Sequence, residues 1–486
     1  MVQTADPVLS LVRREDVRVL DLFCGAGHRG RLLKDGDLAR VVWGTEPDQA
    51  AASAARSHLD RVISGDPERL DPFPFPKQYF ECVLFYEGFD RLKDPIAFLR
   101  RLHTPLAPNG RIIVRVPNPG HWTAMRDLLS GKAATGSRLA LPPREVFFEA
   151  GYRIVSELTG LFRDDSVEPL VFAAKALGLE PDSVRATLET AETVFVIEPM
   201  AGVIDHGTAG SLGPATLKGT SVIVLTYNSL GTIDDCLNSV LPTLGGEDEL
   251  IVVDDASRDG TADRVELLLR IGRSDPNAED AERDFRTNLI RNESNLGFSA
   301  GCNAGIRASH GTTICLLNPD TIVYPGWLGG LRTRLEDPTV GMVGPLSDNV
   351  AGVQNVRNWL TEEQLSRPLD LSHFAGRSTG SRLIIGLCAM LRRETLDLLG
   401  LLDEILFLGS DDLEMSWRLR THGLKLMVAQ DVFVHHLGGR SFASEDRTHI
   451  ARLLYESTEA CLAKIRMACG WRPPDRLLWG FDIAHT

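Results

Sequence analysis

ELIVVDDASRDGT, residues 249–261, sets an uninterrupted apolar run, Leu250 to Val253, against two carboxylates, Asp254 and Asp255, and a glycine-bearing turn. A short β-branched run bounded by turn residues predicts a strand buried on both faces, as strands of parallel sheets are. Further strands of the same character are predicted on either side, at SVIVLTYN (221–228), TICLLNPD (313–320) and VGMVGP (340–345). Each apolar run breaks into polar residues at its carboxyl end, which is where ligands dock in an open α/β sheet.

The same pattern extends into the first half. VRVLDLF (17–23), RVVWGTE (40–46), CVLFY (82–86) and RIIVRVP (111–117) are strand candidates. DPIAFLRRLHTPL (94–106), stopped by Pro-Asn-Gly, predicts a helix, and EVFFEAGYRIVSEL (145–158) a last helix with a return strand. Strands alternating with helices put the chain in the α/β class, as two Rossmann-like domains. From Glu180 to Gly219 the pattern weakens, and IDHGTAGSLGPATLKG (204–219) has little to bury. The expected organisation is therefore a domain over 1–205, a linker over 206–219, a second domain over 220–445 and a helical extension over 446–486, containing ARLLYESTEACLAKIRMACG (451–470).

Composition narrows the function. At 486 residues, 43% hydrophobic and 24% charged, the chain suits two globular domains. A formal net charge of −14 argues against a nucleic-acid partner, because no overall basic surface exists to neutralise phosphates. The eight cysteines are scattered without a CxxC pair, so free thiols in a reducing compartment are expected rather than disulfides or structural zinc. The first residues, MVQTADPVLSLVRRED, hold no apolar segment of signal-peptide type, and no run reaches the length of a membrane span. These features predict a cytoplasmic protein, working at the inner face of the membrane if its acceptor is lipid-linked.

The second half also carries an ordered series of motifs: TYN (226–228), VDDASRDGT (253–261), NLGFSAGCNAGI (295–306), LLNPDT (316–321), GSDDLEMSWRLRTHG (409–423) and VFVHHLGGRS (432–441). Over about 225 residues this series resembles the family 2 glycosyltransferases of the GT-A fold. The resemblance implies an inverting enzyme that takes a nucleotide-sugar donor and a glycan or lipid-linked glycan acceptor. It also implies Mg²⁺ or Mn²⁺ held by Asp320 and His436, the cation stabilising the departing diphosphate. Asp254 and Asp255 would contact the nucleotide, with Thr226 and Asn228 lining the same pocket. Asp254 would equally serve as the cap of the turn that follows it, and Asp320 as an Asp in a Pro-initiated turn. One of His435 and His436 must be an ordinary histidine, and the register of the LGGRS run selects His436 as the ligand. Among Asp411, Asp412 and Glu414, counting back from WRLR selects Asp412 as the base, with Asp411 the close competitor. Acidic residues are favoured at a helix start in any case.

In the first half, VRVLDLFCGAGHRG (17–30) predicts a strand, a glycine-bearing loop and a helix start, with Glu46 at the end of the next strand. With SGDPERL (64–70) and the strands that follow, about 150 residues resemble class I S-adenosylmethionine-dependent methyltransferases. The resemblance implies that Asp21, Gly25 and Gly27 shape a cofactor loop, that Glu46 holds the ribose and that Asp66 lies by the adenine. The departures are Phe23 in place of the first motif glycine, Asp90 and Arg91 where related sequences read Glu-His, and a short segment after LLSGK (128–132). Three readings follow: a glycosyltransferase with a methyltransferase-like module, an enzyme that both glycosylates and methylates one glycan, and a glycan-binding protein without turnover. The presence of Asp320, Asp412 and His436 together speaks against the third.

Overall fold

The computed structural model describes residues 8–129, 141–161, 167–176, 179–200, 212, 217–273, 285–438 and 447–480. The chain forms two compact units, Met1–Ala209 with Ala468–Trp471, and Gly210–Met467 with Arg472–Thr486.

The first unit is built on seven strands: β1 (Arg18–Leu22), β2 (Val41–Glu46), β3 (Arg61–Ser64), β4 (Phe80–Phe85), β5 (Leu106–Pro117), β6 (Tyr152–Leu161) and β7 (Thr190–Pro199). Their order is β3-β2-β1-β4-β5-β7-β6. The first five run parallel, and β7 is antiparallel to both its neighbours. Alternate residues feed opposite faces, as the two-residue period of a strand requires. Leu20, Leu22, Val83, Phe85 and Val114 pack with Phe98, Leu102 and Phe147 on one side. Val19, Val42, Leu84 and Ile113 pack with Leu33, Ala55 and Leu59 on the other. The helix predicted after Asp94 runs over Pro95–Leu102, with Pro in its first turn and the Asp94 carboxylate accepting from the Ala97 amide.

The stretch after Glu180, expected to fade into a linker, instead supplies a helix, Pro181–Glu189, and β7. The apolar core of β7, Val194 to Ile197, is flanked by Glu192 and Glu198, so it reads as weak in isolation. Its strength comes from two distant partners, β5 and β6. Most of the expected linker, residues 206–211 and 213–216, lies outside the described residues.

The second unit holds β8 (Thr220–Thr226), β9 (Glu249–Asp254), β10 (Arg286–Arg291), β11 (Thr313–Leu317), β12 (Thr321–Val323), β13 (Val340–Leu346), β14 (Ser378–Ser381), β15 (Cys388–Arg392) and β16 (Lys425–His436). The order is β10-β9-β8-β11-β15-β13-β16-β12, with β14 on β16. β10, β9, β8 and β11 are parallel, and β15 is antiparallel to β11 and β13. Strands β8, β9, β11 and β13 fall on the four runs predicted from sequence. The carboxyl ends of β8, β9 and β11 therefore open side by side on one edge, and β16 returns antiparallel to β12 so that His436 pairs with Thr321. Two helices complete the frame of that edge, Phe298–Ala308 and Asp411–Thr421.

Candidate functional site

Two cavities share the edge of the second unit where β8, β9 and β11 end. One, of about 480 Å³, is polar and is lined by Asp254, Ser257, Arg258, Arg291, Asn292 and Glu293 among others. The other, of about 450 Å³, includes Asp255, Asn318, Asp320 and His436. Tyr227 and Asn295 line both.

The loops after β8 and β9 are locked to each other. Thr226 and Asp254 lie opposite one another in the ladder, and the Asp255 amide donates to the Thr226 carbonyl at 2.8 Å. The Asp254 carboxylate accepts from the Thr226 hydroxyl at 3.2 Å and from the Ser257 amide at 3.1 Å, so it does cap the following turn. Asn228 adopts a positive φ of 49° and accepts from the Arg258 amide at 2.9 Å. Thr226, expected to line the nucleotide pocket, has no exposed surface. It orients Asp254 instead, because strand alternation turns its side chain inward.

Asp255 lines the second cavity and is also engaged by the protein itself. Its carboxylate accepts from the Asn292 side-chain amide at 2.8 Å, from the Leu296 amide at 3.0 Å and from the Gly297 amide at 3.0 Å. It thus clamps the glycine-rich loop. Gly297 cannot be replaced there: its φ is 85°, and a Cβ would stand 2.6 Å from the Phe407 carbonyl oxygen.

Asp320 and His436, far apart in sequence, meet with Oδ1 and Nε2 3.4 Å apart. The other ring nitrogen of His436 lies 2.7 Å from the Asn349 carbonyl, to which it donates. That bond fixes the ring with Nε2 facing Asp320, so that Nε2 is the atom free to ligate a cation once it is deprotonated, with Asn349 as the outer partner. Burial lowers the His436 pKa, but the Asp320 bond and the Asn349 carbonyl outweigh it and leave the pKa raised. His435, one residue back and so on the opposite face, bonds Asp348 at 2.5 Å. The second Asp348 oxygen accepts the His436 amide at 3.1 Å. Asp348 and Asn349 were not singled out from sequence, since no local motif marks them. Among the described residues no three His, Cys, Asp or Glu side chains converge as a metal cage. A carboxylate and an imidazole nonetheless suit a divalent cation whose remaining ligands are diphosphate oxygens.

The acidic trio separates by environment. Glu414 is fully buried and paired with Arg418 at 2.6 Å and Lys464 at 2.8 Å, a structural role. Asp412 accepts from the Leu413 amide at 2.7 Å and the Gly386 amide at 3.3 Å. Burial raises the pKa of Asp411, with repulsion from Asp412 adding to it, and burial raises that of Asp412. Neither lines the cavity wall directly. Asp411 is near Cys302, whose thiol is pushed up by burial and then by the charges of Asp411 and Asp255.

In the first unit, Asp21 is the penultimate residue of β1, Gly25 and Gly27 follow that strand, Glu46 ends β2 and Asp66 follows β3, so the residues expected at the cofactor lie along one sheet edge. Glu46 accepts from the Gly25 amide at 2.9 Å and the Asp48 amide at 2.9 Å. Gly25 and Gly27 have φ of 56° and 80°, and Phe23, in place of the first motif glycine, keeps a glycine-like φ of 54°. Asp21 is buried, and Asp66 caps the short turn Pro67–Arg69.

Comparisons agree with this division. Residues 221–400 match the glycosyl transferase family 2 model, and residues 3–148 match a methyltransferase domain model. An uncharacterized protein of Mycobacterium tuberculosis is 36% identical over 28% of this chain and 39% of its own length. The succinoglycan biosynthesis protein ExoU of Rhizobium meliloti is 27% identical over 51% of this chain and 70% of its own. The ubiquinone biosynthesis O-methyltransferase of Bradyrhizobium diazoefficiens is 33% identical over 21% of this chain and 40% of its own. The chain spans under half the length of the first curated relatives it matches. With two separate α/β units, each matched by its own family model, the chain joins a methyltransferase domain to a family 2 glycosyltransferase domain.

Proposed function

We propose that the second unit is an inverting glycosyltransferase that moves a sugar from a nucleotide-sugar donor to a glycan or glycoconjugate, with Mg²⁺ or Mn²⁺ at Asp320 and His436. The observation that carries this is the meeting of Asp320 and His436 at 3.4 Å in a cavity that adjoins a polar one of nucleotide size. A bound cation would neutralise the charge that develops on the departing diphosphate. Asp254 and Arg258 offer the nucleotide hydrogen bonds and positive charge, Asn228 holds the Arg258 backbone in place, and Asp255 holds the loop that shapes the floor. Asp412 takes the proton from the acceptor hydroxyl, and its raised pKa brings its proton affinity nearer to that of the group it serves. Asp411, beside it, is the alternative for the same role. In the cell the enzyme would work in the cytoplasm, at the inner membrane face where a lipid-linked acceptor is presented; no helix among the described residues is long and apolar enough to cross a membrane.

The test is Asp412→Asn, which keeps shape but cannot accept the proton. It should lower kcat by about 10²–10⁴-fold with donor binding retained. The product should carry the anomeric configuration opposite to the donor, and an NMR spectrum showing retention would defeat the assignment.

A second reading, methylation of the same glycan, is favoured by the Glu46–Gly25 contact. An acidic side chain that fixes the glycine loop at the end of the adjacent strand is suited to receive ribose hydroxyls when S-adenosylmethionine is bound.

A further inference from the structure

The cavity that holds Asp320 and His436 is short of positive charge for the reaction proposed there. Its ionisable wall residues are Tyr227, Asp255, Asp320, His436 and His449, and among the described residues no Lys or Arg lines it. The nearby guanidinium groups belong to the neighbouring cavity, and that of Arg291 is held by Asp263 at 3.0 Å and Glu266 at 2.7 Å. A departing nucleoside diphosphate carries more negative charge than one divalent cation neutralises, so its oxygens call for further donors. Asp255 is engaged by the glycine-rich loop, and His436 pairs with Asp320. Among the described residues of the wall, that leaves His449 as the basic group without a part. It lies beyond residues 221–400, which match the family model.

His449 is held where it is by the fold. It sits in the first turn of the helix Arg447–Cys469, one turn before Leu453 on the same face, and both side chains line the cavity. That helix is fastened along its length. The Leu408 amide donates to Ser457 Oγ at 3.1 Å, and the Ser410 and Thr458 hydroxyls lie 3.0 Å apart. Lys464, further along, binds Asp403 at 2.5 Å and the buried Glu414 at 2.8 Å. The imidazole itself is oriented by Arg452, three residues on, whose Nη2 lies 3.2 Å from His449 Nδ1. A guanidinium has donors only, so Nδ1 accepts that bond and the ring proton sits on Nε2. Arg452 Nε in turn lies 3.7 Å from Glu456. The Nε2–H is therefore a donor without a partner among the described residues, on a side chain that lines the cavity.

We infer that His449 binds the diphosphate of the nucleotide-sugar donor, its Nε2–H donating to a phosphate oxygen, and that Arg452 is a positioning residue that fixes the ring in that tautomer. This rests on the glycosyltransferase reading and adds to it a residue from outside the matched family region. A sugar hydroxyl would also accept from Nε2, but a phosphate oxygen makes the stronger, charge-assisted bond. A place among the ligands of the cation is opposed by the same tautomer, because a ligating nitrogen must be free of its proton. It is opposed as well by the lack, among the described residues, of three His, Cys, Asp or Glu side chains that converge.

The experiment titrates the full chain calorimetrically with UDP, GDP and dTDP in the presence of Mg²⁺, and with the corresponding nucleosides alongside. His449→Ala should weaken binding of whichever diphosphate the protein takes by about 10- to 100-fold, the range for a hydrogen bond to a charged group, with the melting midpoint kept. His449→Phe, which keeps a ring and removes the donor, carries the same test should the Ala variant fail to fold. His449→Gln, whose amide nitrogen reaches close to the place of Nε2, should recover most of the loss, and a Gln variant no better than Ala overturns the hydrogen bond. Unchanged diphosphate affinity in a folded His449→Ala overturns the inference alone. If the unaltered protein binds none of the three diphosphates, the glycosyltransferase reading falls with it. A matching loss for the nucleosides puts His449 at the base or ribose. Weaker Mn²⁺ binding by the nucleotide-free variant, read by electron paramagnetic resonance, makes it a cation ligand; either result refutes the assignment. In ¹⁵N-histidine spectra of the full chain His449 should show the Nε2–H tautomer, and Arg452→Ala should turn it into a mixture. A ring protonated at Nδ1 alone in the unaltered protein overturns the part given to Arg452.

Discussion

Asp255→Asn isolates the clamp on the glycine-rich loop. The carboxylate now uses one oxygen for the Asn292 side chain, shares both with the Leu296 amide and gives the second to the Gly297 amide. An amide side chain keeps one acceptor oxygen and turns an NH₂ toward the remaining donor. At least one charge-assisted bond is therefore lost at a site that is almost fully buried. Such a bond is worth about 1.5–3 kcal/mol, so local opening of residues 295–298 should become about 10- to 100-fold more frequent. Hydrogen exchange resolved to peptides over 290–300 reads this directly, as faster exchange of the Leu296 and Gly297 amides. Nucleotide affinity should fall along with it, because Asn295 lines both cavities and moves with the loop. If nucleotide binding collapses while exchange in 290–300 stays as it was, Asp255 contacts the nucleotide itself and the clamp argument is wrong.

His436→Ala should weaken the dependence of transfer on added Mn²⁺, and His435→Ala should do so much less; a metal titration of activity showing the opposite order would reverse the assignment. Glu46→Ala should abolish the rise in melting temperature that S-adenosylmethionine gives the full chain by mass action. No shift in the unaltered protein at millimolar ligand would remove the methylation reading. Glu414→Gln breaks a buried pair with Arg418 and Lys464 and should cost about 3 kcal/mol. Its signature in hydrogen exchange is early loss of protection in the helix Arg447–Cys469, and unaltered protection there would show that Lys464 does not fasten it.

Much of this was readable before any fold was known, because it is local. A run such as LIVVDD ends a strand in carboxylates whatever surrounds it, and the β8, β9, β11 and β13 runs each announce themselves in fewer than ten residues. The glycine loops at Gly25, Gly27 and Gly297 are local too, since each needs a left-handed backbone that other residues resist. The order of the motifs carried the family, and the two family models match the two halves separately.

Other features are decided by partners distant in the chain. β7 was overlooked because four apolar residues between glutamates are weak alone, and they become a strand only between β5 and β6. Which histidine meets Asp320 depends on the pairing of β12 with β16, where one residue of shift exchanges the two faces. The partners of Thr226, Asp255 and Glu414 are likewise set by distant neighbours: the first is turned inward, the second accepts from loop amides and the third pairs with Arg418 and Lys464. The sequence alone determined that two α/β sheets would form and which strand ends would carry chemistry, because apolar runs and turn residues act over a few positions. Only the tertiary structure decided which of those carboxylates and imidazoles face a cavity and which are spent on the protein itself, because a hydrogen-bonding group is committed by whatever partner the fold brings within about 3 Å.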